Sequence, residues 1–128
     1  MQTLAEYIGL TTDQMKAITS QAFDLLEAGD LDGAEKIFQG LQILDPNNGR
    51  IQAALGSVFH QQGKLSEAEK AYDSALENDA QAVLARVNRG QLRCQRGDIA
   101  GLEDLRLAAA VPSAVQGRAQ QLLARYQG

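Results

Sequence analysis

Gly29-Asp-Leu-Asp-Gly-Ala-Glu-Lys-Ile-Phe38 returns, 34 residues on, as Gly63-Lys-Leu-Ser-Glu-Ala-Glu-Lys-Ala-Tyr72. Gly29 matches Gly63, Leu31 matches Leu65, Ala34 matches Ala68, Glu35-Lys36 match Glu69-Lys70, and Phe38 matches Tyr72. A fixed period of this length marks a chain of stacked helical hairpins, none of which can bury its apolar face alone. Gly29 and Gly63 read as helix stops, because glycine takes the left-handed conformation of a helix C-cap at little cost. Leu31, Ala34, Ile37, Phe38, Leu41 and Leu44 recur at helical spacing and predict a helix over 31–44, with its copy over 65–78.

Outward from this stretch, Met15, Ile18, Ala22, Leu25 and Leu26 predict a partner helix over about 13–28, with Thr11-Thr-Asp13 offering its cap and acidic first turn. Ile51, Leu55, Gly56, Val58 and Phe59 predict the equivalent helix over about 48–62. Asp45-Pro-Asn-Asn-Gly49 is a turn between them. In the second copy Asn78-Asp79 turns the chain, and Ala80 stands where Pro46 stood. Small residues at Gly56, Gly90, Ala22, Ala34 and Ala68 let paired helices approach, and Phe38 and Tyr72 fill the remaining gap. A third copy is weaker. Gly90 matches Gly56, Gly97 matches Gly63 and Ile99 matches Leu65, yet Leu102 and Arg106 stand where Ala68 and Tyr72 stood. Leu4, Tyr7, Ile8 and Leu10 suggest a short N-terminal helix over 3–9, with Thr3 and Glu6 at capping-box spacing. Val111-Pro-Ser113 opens a last amphipathic helix, 113–126, carrying Val115, Ala119, Leu122, Leu123 and Tyr126. The expected architecture is all-α: one domain over 1–128, a superhelix of three helix-turn-helix repeats (about 15–48, 49–82 and 83–112), an N-terminal helix and a C-terminal capping helix.

Composition narrows the function. Of 128 residues 45% are hydrophobic but only 5% aromatic, with no Trp, which suits close helix packing. The single Cys94 excludes an internal disulfide and fits a reducing compartment. No basic segment followed by an apolar run marks a signal peptide, and no stretch reaches the roughly 18–20 apolar residues of a membrane span. A soluble, cytoplasmic protein is expected. A net charge of −4 argues against general nucleic-acid binding. The total hides an asymmetry: residues 1–82 carry 5 Lys+Arg against 13 Asp+Glu, and residues 83–128 carry 7 Arg against 3 Asp+Glu. Either both ends are simply solvated, or the two ends of a polarised molecule meet different surfaces, or each other in a dimer. No catalytic residue, metal site or cofactor is expected. His60 is the only histidine, Cys94 reads as a small buried hydrophobe, and no Gly-rich loop precedes a Lys-Ser/Thr pair.

The first helices of stacked hairpins line the concave side. The period then lists the groove: Lys16, Thr19, Ser20, Phe23 and Leu26 in repeat one; Arg50, Ala53, Ala54, Ser57 and His60 in repeat two; Leu84, Val87, Asn88, Gln91 and Cys94 in repeat three. Mixed apolar and polar side chains suit an extended peptide, whose side chains need pockets and whose backbone needs polar partners. Arg86, Arg89, Arg93 and Arg96 form a stripe on one helix face. It is either a docking strip for an acidic partner or a set of ion pairs to Asp98, Glu103 and Asp104 on the following helix; positions 89 and 93 should face that helix, which favours pairing.

The 34-residue period with its Gly, Ala and aromatic positions resembles the tetratricopeptide repeat (TPR) over roughly 13–110. Read together, Ala22-Phe23, Gly29, Ala34, Ile37-Phe-Gln-Gly-Leu41, Leu44-Asp45, Leu55-Gly56 and Gln62-Gly63 look like the class II chaperones of bacterial type III secretion. The resemblance implies a non-catalytic bacterial chaperone that takes an extended N-terminal segment of a translocator subunit in its concave groove before export. Phe23, Leu26, Ala53, Ser57, His60, Val87 and Gln91 are the groove residues carried over. It also implies homodimerisation through the N-terminal region, which would recruit Leu4, Tyr7 and Ile8. The alternative is a generic TPR scaffold that joins proteins in an assembly. TPR modules that grip the C-terminal carboxylate of heat-shock chaperones place several Lys, Arg and Asn in the groove. Thr19, Phe23 and Leu84 stand here instead, so that clamp is not expected.

Overall fold

The computed structural model describes residues 2–79 and 82–128, so Ala80, the counterpart of Pro46, lies outside the described residues. Helices follow in the order α1 (Leu4–Tyr7), α2 (Thr12–Glu27), α3 (Leu31–Leu44), α4 (Gly49–Gln61), α5 (Leu65–Asn78), α6 (Val83–Gln95), α7 (Ala100–Ala109) and α8 (Gln116–Gln127). The boundaries of α3 and α5 are those the repeated stretch predicts. Helix α8 begins three residues later than its sequence suggests, because Val111 to Val115 forms a turn after Pro112 interrupts the helical path.

Local chemistry sets these ends. Thr11 Oγ1 accepts from the Gln14 N–H at 3.1 Å while Gln14 Oε1 accepts from the Thr11 N–H at 2.9 Å, a complete capping box for α2. Asn48 Oδ1 accepts from the N–H groups of Arg50 and Ile51 and starts α4. Gly29, Gly63 and Gly97, spaced 34 apart, end α2, α4 and α6 with φ of +83°, +79° and +78°. A Cβ disfavours that conformation by roughly 1–2 kcal/mol, so the period of the glycines is the period of the fold.

The helices pair as α2 with α3, α4 with α5, and α6 with α7, and each pair stacks on the next. Ala22, Ala34, Phe38, Leu41, Ile51, Leu55 and Val58 form the core between the first two pairs, and Ala68, Tyr72, Ala75 and Leu92 continue it. At Gly56 α4 and α5 press close together. A Cβ there would lie 2.5 Å from Cδ1 of Tyr72, whose ring is fully buried. Burial also pushes the Tyr72 phenol well above the ordinary tyrosine range.

Repeat three corrects the sequence alignment. The 34-residue period sets Leu102 and Arg106 opposite Ala68 and Tyr72; in the fold Gly101, Leu105 and Ala108 take the inward positions of Ala68, Tyr72 and Ala75, all buried, and the offset is 33. Ile99 is 79% exposed instead of packing as Leu65 does, and Arg106 points to solvent. The slip brings Gly101 against α6, where a Cβ would lie 2.6 Å from the Gly90 carbonyl oxygen. Leucine at that crossing would collide with backbone, so the chain shifts by one residue to put glycine on glycine. The period resumes afterwards. Ile51, Ala85 and Ala119 are buried 34 residues apart, as are Ala54, Asn88 and Leu122. Helix α8 is thus the first helix of a fourth, half-length repeat, packed on α7 and α6.

Candidate functional site

The first helices of the hairpins line an open groove on the inner face. A cavity of about 690 Å³ lies between Phe23 and Leu26 of α2, Arg50, Ala53 and Ser57 of α4, Leu84 and Asn88 of α6, and Arg118 of α8. A second cavity of about 860 Å³ continues it toward the N-terminus past Lys16, Thr19 and Ser20, and shares Phe23 and Arg50 as its wall. The groove therefore runs past Arg50 in both directions. Phe23 meets the buried Phe38 edge to face at 5.1 Å between centroids, and the Arg50 guanidinium lies over the Phe23 ring at 5.3 Å. A rigid aromatic anchored from below, with a cation on top, forms the centre of the groove.

Of the fifteen groove residues expected from sequence, eleven line the two cavities: Lys16, Thr19, Ser20, Phe23, Leu26, Arg50, Ala53, Ala54, Ser57, Leu84 and Asn88. Gln91 borders them through Arg118, whose guanidinium donates to Asn88 Oδ1 at 2.9 Å and to Gln91 Oε1. His60 sits further along and is engaged on both ring nitrogens: Nε2 with Gln95 Oε1 at 3.1 Å, and Nδ1 with the Tyr72 hydroxyl at 3.4 Å. Its contacts hold α4 to α5 and α6. Val87 is a correction. It is fully buried with Leu105, Ala108, Ala119 and Leu122, because α8 folds over the α6 face that would otherwise be open. Cys94 is half-buried against Gly101, and burial first, then Asp104 and Asp98, push its thiol up.

Arg118 was missed by the sequence reading, which treated the last helix as a cap alone. Adding the period once more to Lys16, Arg50 and Leu84 would have found it. The N-terminal candidates Leu4, Tyr7 and Ile8 are 43%, 78% and 57% exposed, while Ala5 anchors α1.

The arginine stripe is tied internally, and its partners differ from those expected. Asp104, with a side chain only 4% exposed, accepts from Arg89 Nε at 2.9 Å and Nη2 at 2.6 Å, and from Arg93 Nη1 at 3.0 Å; Arg86 lies 3.6 Å away. The remaining partners are on the preceding helix. Asp73 accepts from Arg89 at 2.9 Å, and Glu69 accepts from Arg93 at 2.8 Å and Arg96 at 3.1 Å. Glu69 and Asp73 take the places expected for Asp98 and Glu103, because α6 sits between two helices and its long side chains reach back as easily as forward. Burial alone would lower the Arg89 pKa, but its hydrogen bonds to the carboxylates of Asp104 and Asp73 raise it. Part of the opposite charge of the two halves is thereby spent across the α5–α6 contact.

A tetratricopeptide repeat family model matches residues 25–91. No curated protein matches the chain. Among solved structures, the type III secretion translocator chaperone SycD of Yersinia enterocolitica aligns over 99% of this chain and 98% of its own, with a TM-score of 0.87 and 21% identity, a likeness of fold. PcrH from Pseudomonas aeruginosa aligns over 94% of this chain and 96% of its own, with a TM-score of 0.82 and 26% identity. PcrH in complex with the chaperone binding region of PopD aligns over 93% and 95%, with a TM-score of 0.83 and 27% identity.

Proposed function

This chain belongs to the tetratricopeptide repeat family, and we propose that it is a non-catalytic chaperone that holds an extended segment of a type III secretion translocator subunit in its concave groove before export. The observation that carries the reading is the through-running groove centred on Phe23. It is apolar on its floor, polar on its walls, and set in a molecule that aligns over 93–94% of its length with 95–96% of PcrH. Apolar side chains of a client would seat against Phe23, Leu26, Ala53 and Leu84, while Thr19, Ser57 and Asn88 answer its backbone. Holding an apolar, membrane-active segment would keep it from aggregating. Exposed Leu4, Tyr7 and Ile8 support self-association through α1 as part of the same role. Among the described residues no helix is long and apolar enough to cross a membrane, which suits work done before export.

The test is a pull-down of a co-expressed translocator subunit. Phe23→Ala with Leu84→Glu should abolish capture and leave the helical circular-dichroism spectrum unchanged. Leu84 is half exposed and tolerates a charge, whereas fully buried Val87 would not. Undiminished capture by the folded double variant contradicts the groove model.

A further inference from the structure

Lys16, Arg50, Leu84 and Arg118 are 34 residues apart and form one column along the groove, the first on the wall of the outer cavity, Arg50 on both, and the last two on the inner. Three of the four are cations, in a chain whose net charge is −4. Arg86, Arg89, Arg93, Arg96, Arg106 and Lys64 all have carboxylate partners. Among the described residues no ion pair forms to Lys16, Arg50 or Arg118. Lys36, Lys70 and Arg125 form no ion pair among the described residues either, but they do not line the groove; the column differs from the remaining basic residues, which are paired. Arg50 is held by an aromatic face and Arg118 by the neutral amides of Asn88 and Gln91. Such partners fix a guanidinium in place and leave its charge for a ligand. Asp79 at the cavity rim is the one carboxylate among the described lining residues of the inner cavity.

We infer that the groove selects an extended segment carrying an acidic side chain between apolar ones, with its carboxylate received between Arg50 and Arg118. This deepens the chaperone reading and rests on it. Charge complementarity argues for the carboxylate, and the shape of the groove argues for a side chain over a chain end. Because the two cavities join at Phe23 and Arg50, an occupant that fills both passes Arg50 without stopping there. Arginine suits the task, since its planar fork meets a carboxylate with two parallel hydrogen bonds. Helix α8 then contributes a recognition group in addition to closing the stack.

The experiment is a selection on the full chain from segments of about twelve random residues, about 40 Å when extended, embedded within a carrier protein. A parallel library presents the same segments at a free C-terminus. Segments captured by the wild type and lost by Phe23→Ala define groove binders. They should carry Asp or Glu at one position flanked by apolar residues, and the enrichment should vanish on Arg50→Gln/Arg118→Gln. For one isolated segment, replacing its acid by the amide should weaken binding about tenfold on the wild type and hardly at all on the double variant. Groove binders with no acidic preference, an enrichment unchanged on the double variant, or acid dependence only for free C-termini overturns the inference while leaving a peptide groove in place. If no segment depends on Phe23, the chaperone reading itself fails.

Discussion

Replacing Gly56 by alanine should destabilise the protein, although the same change at Gly40 should stabilise it. Alanine in a helix interior is favoured over glycine by about 1 kcal/mol, partly because it restricts the unfolded chain. At Gly40, in the middle of α3, nothing lies within 4 Å of the added methyl group, so Gly40→Ala should gain most of that amount. At Gly56 the methyl group would sit 2.5 Å from Cδ1 of Tyr72, whose ring is fully enclosed and cannot swing aside. Overpacking of this kind costs about 1–3 kcal/mol. The propensity gain recovers part of it, leaving a net loss of about 1 kcal/mol, so the two alanine variants should differ by about 2 kcal/mol. Thermal or urea unfolding followed by circular dichroism reads this directly, as a separation of about 6–10 °C in Tm between the variants. Since the chemical change is identical, unfolded-state effects largely cancel in the comparison. If Gly56→Ala is stabilised as much as Gly40→Ala, the close α4–α5 crossing is wrong, and with it the account of why the repeated glycine and aromatic belong together.

Two further outcomes follow from the same structure. Asp104→Asn keeps the shape but leaves Arg89 and Arg93 with only Asp73 and Glu69 to answer them, and should cost about 2–3 kcal/mol in urea unfolding; a change within about 0.5 kcal/mol would mean that the buried network is not a determinant of repeat three. Removing residues 1–10 should convert any dimer to monomer in light scattering while the helical spectrum of the three hairpins persists, and an unchanged mass rules out the α1 surface of Leu4, Tyr7 and Ile8 as the interface.

The sequence was most readable where local chemistry and packing repeat together. The glycines at 29 and 63, the alanines at 34 and 68 and the aromatics at 38 and 72 each have one structural job, and the helices they bound lie where their spacing puts them. The groove floor followed from the same period, since facing inward is a matter of register. Repeat three resisted because a one-residue slip changes no letter: Leu102 and Arg106 look like degraded copies until Gly101 is seen against the Gly90 carbonyl. Val87 was misplaced because its burial depends on α8, which arrives from about thirty residues downstream. The partners of Arg89 and Arg93 were half right, since sequence order names the next helix but says little about the previous one. Arg118 was legible in principle. The period that listed Lys16, Arg50 and Leu84 extends to it, once α8 is counted as half a repeat.

The central claim is that a client lies along the concave groove. A photoreactive phenylalanine analogue at Ser57, on the groove wall, should crosslink a co-expressed type III translocator subunit under light, whereas the same analogue at Lys70, on the exposed side of α5, should not. Mass spectrometry should place the Ser57 crosslinks within one short extended segment of the client. Crosslinks from Lys70 with none from Ser57 would contradict the account.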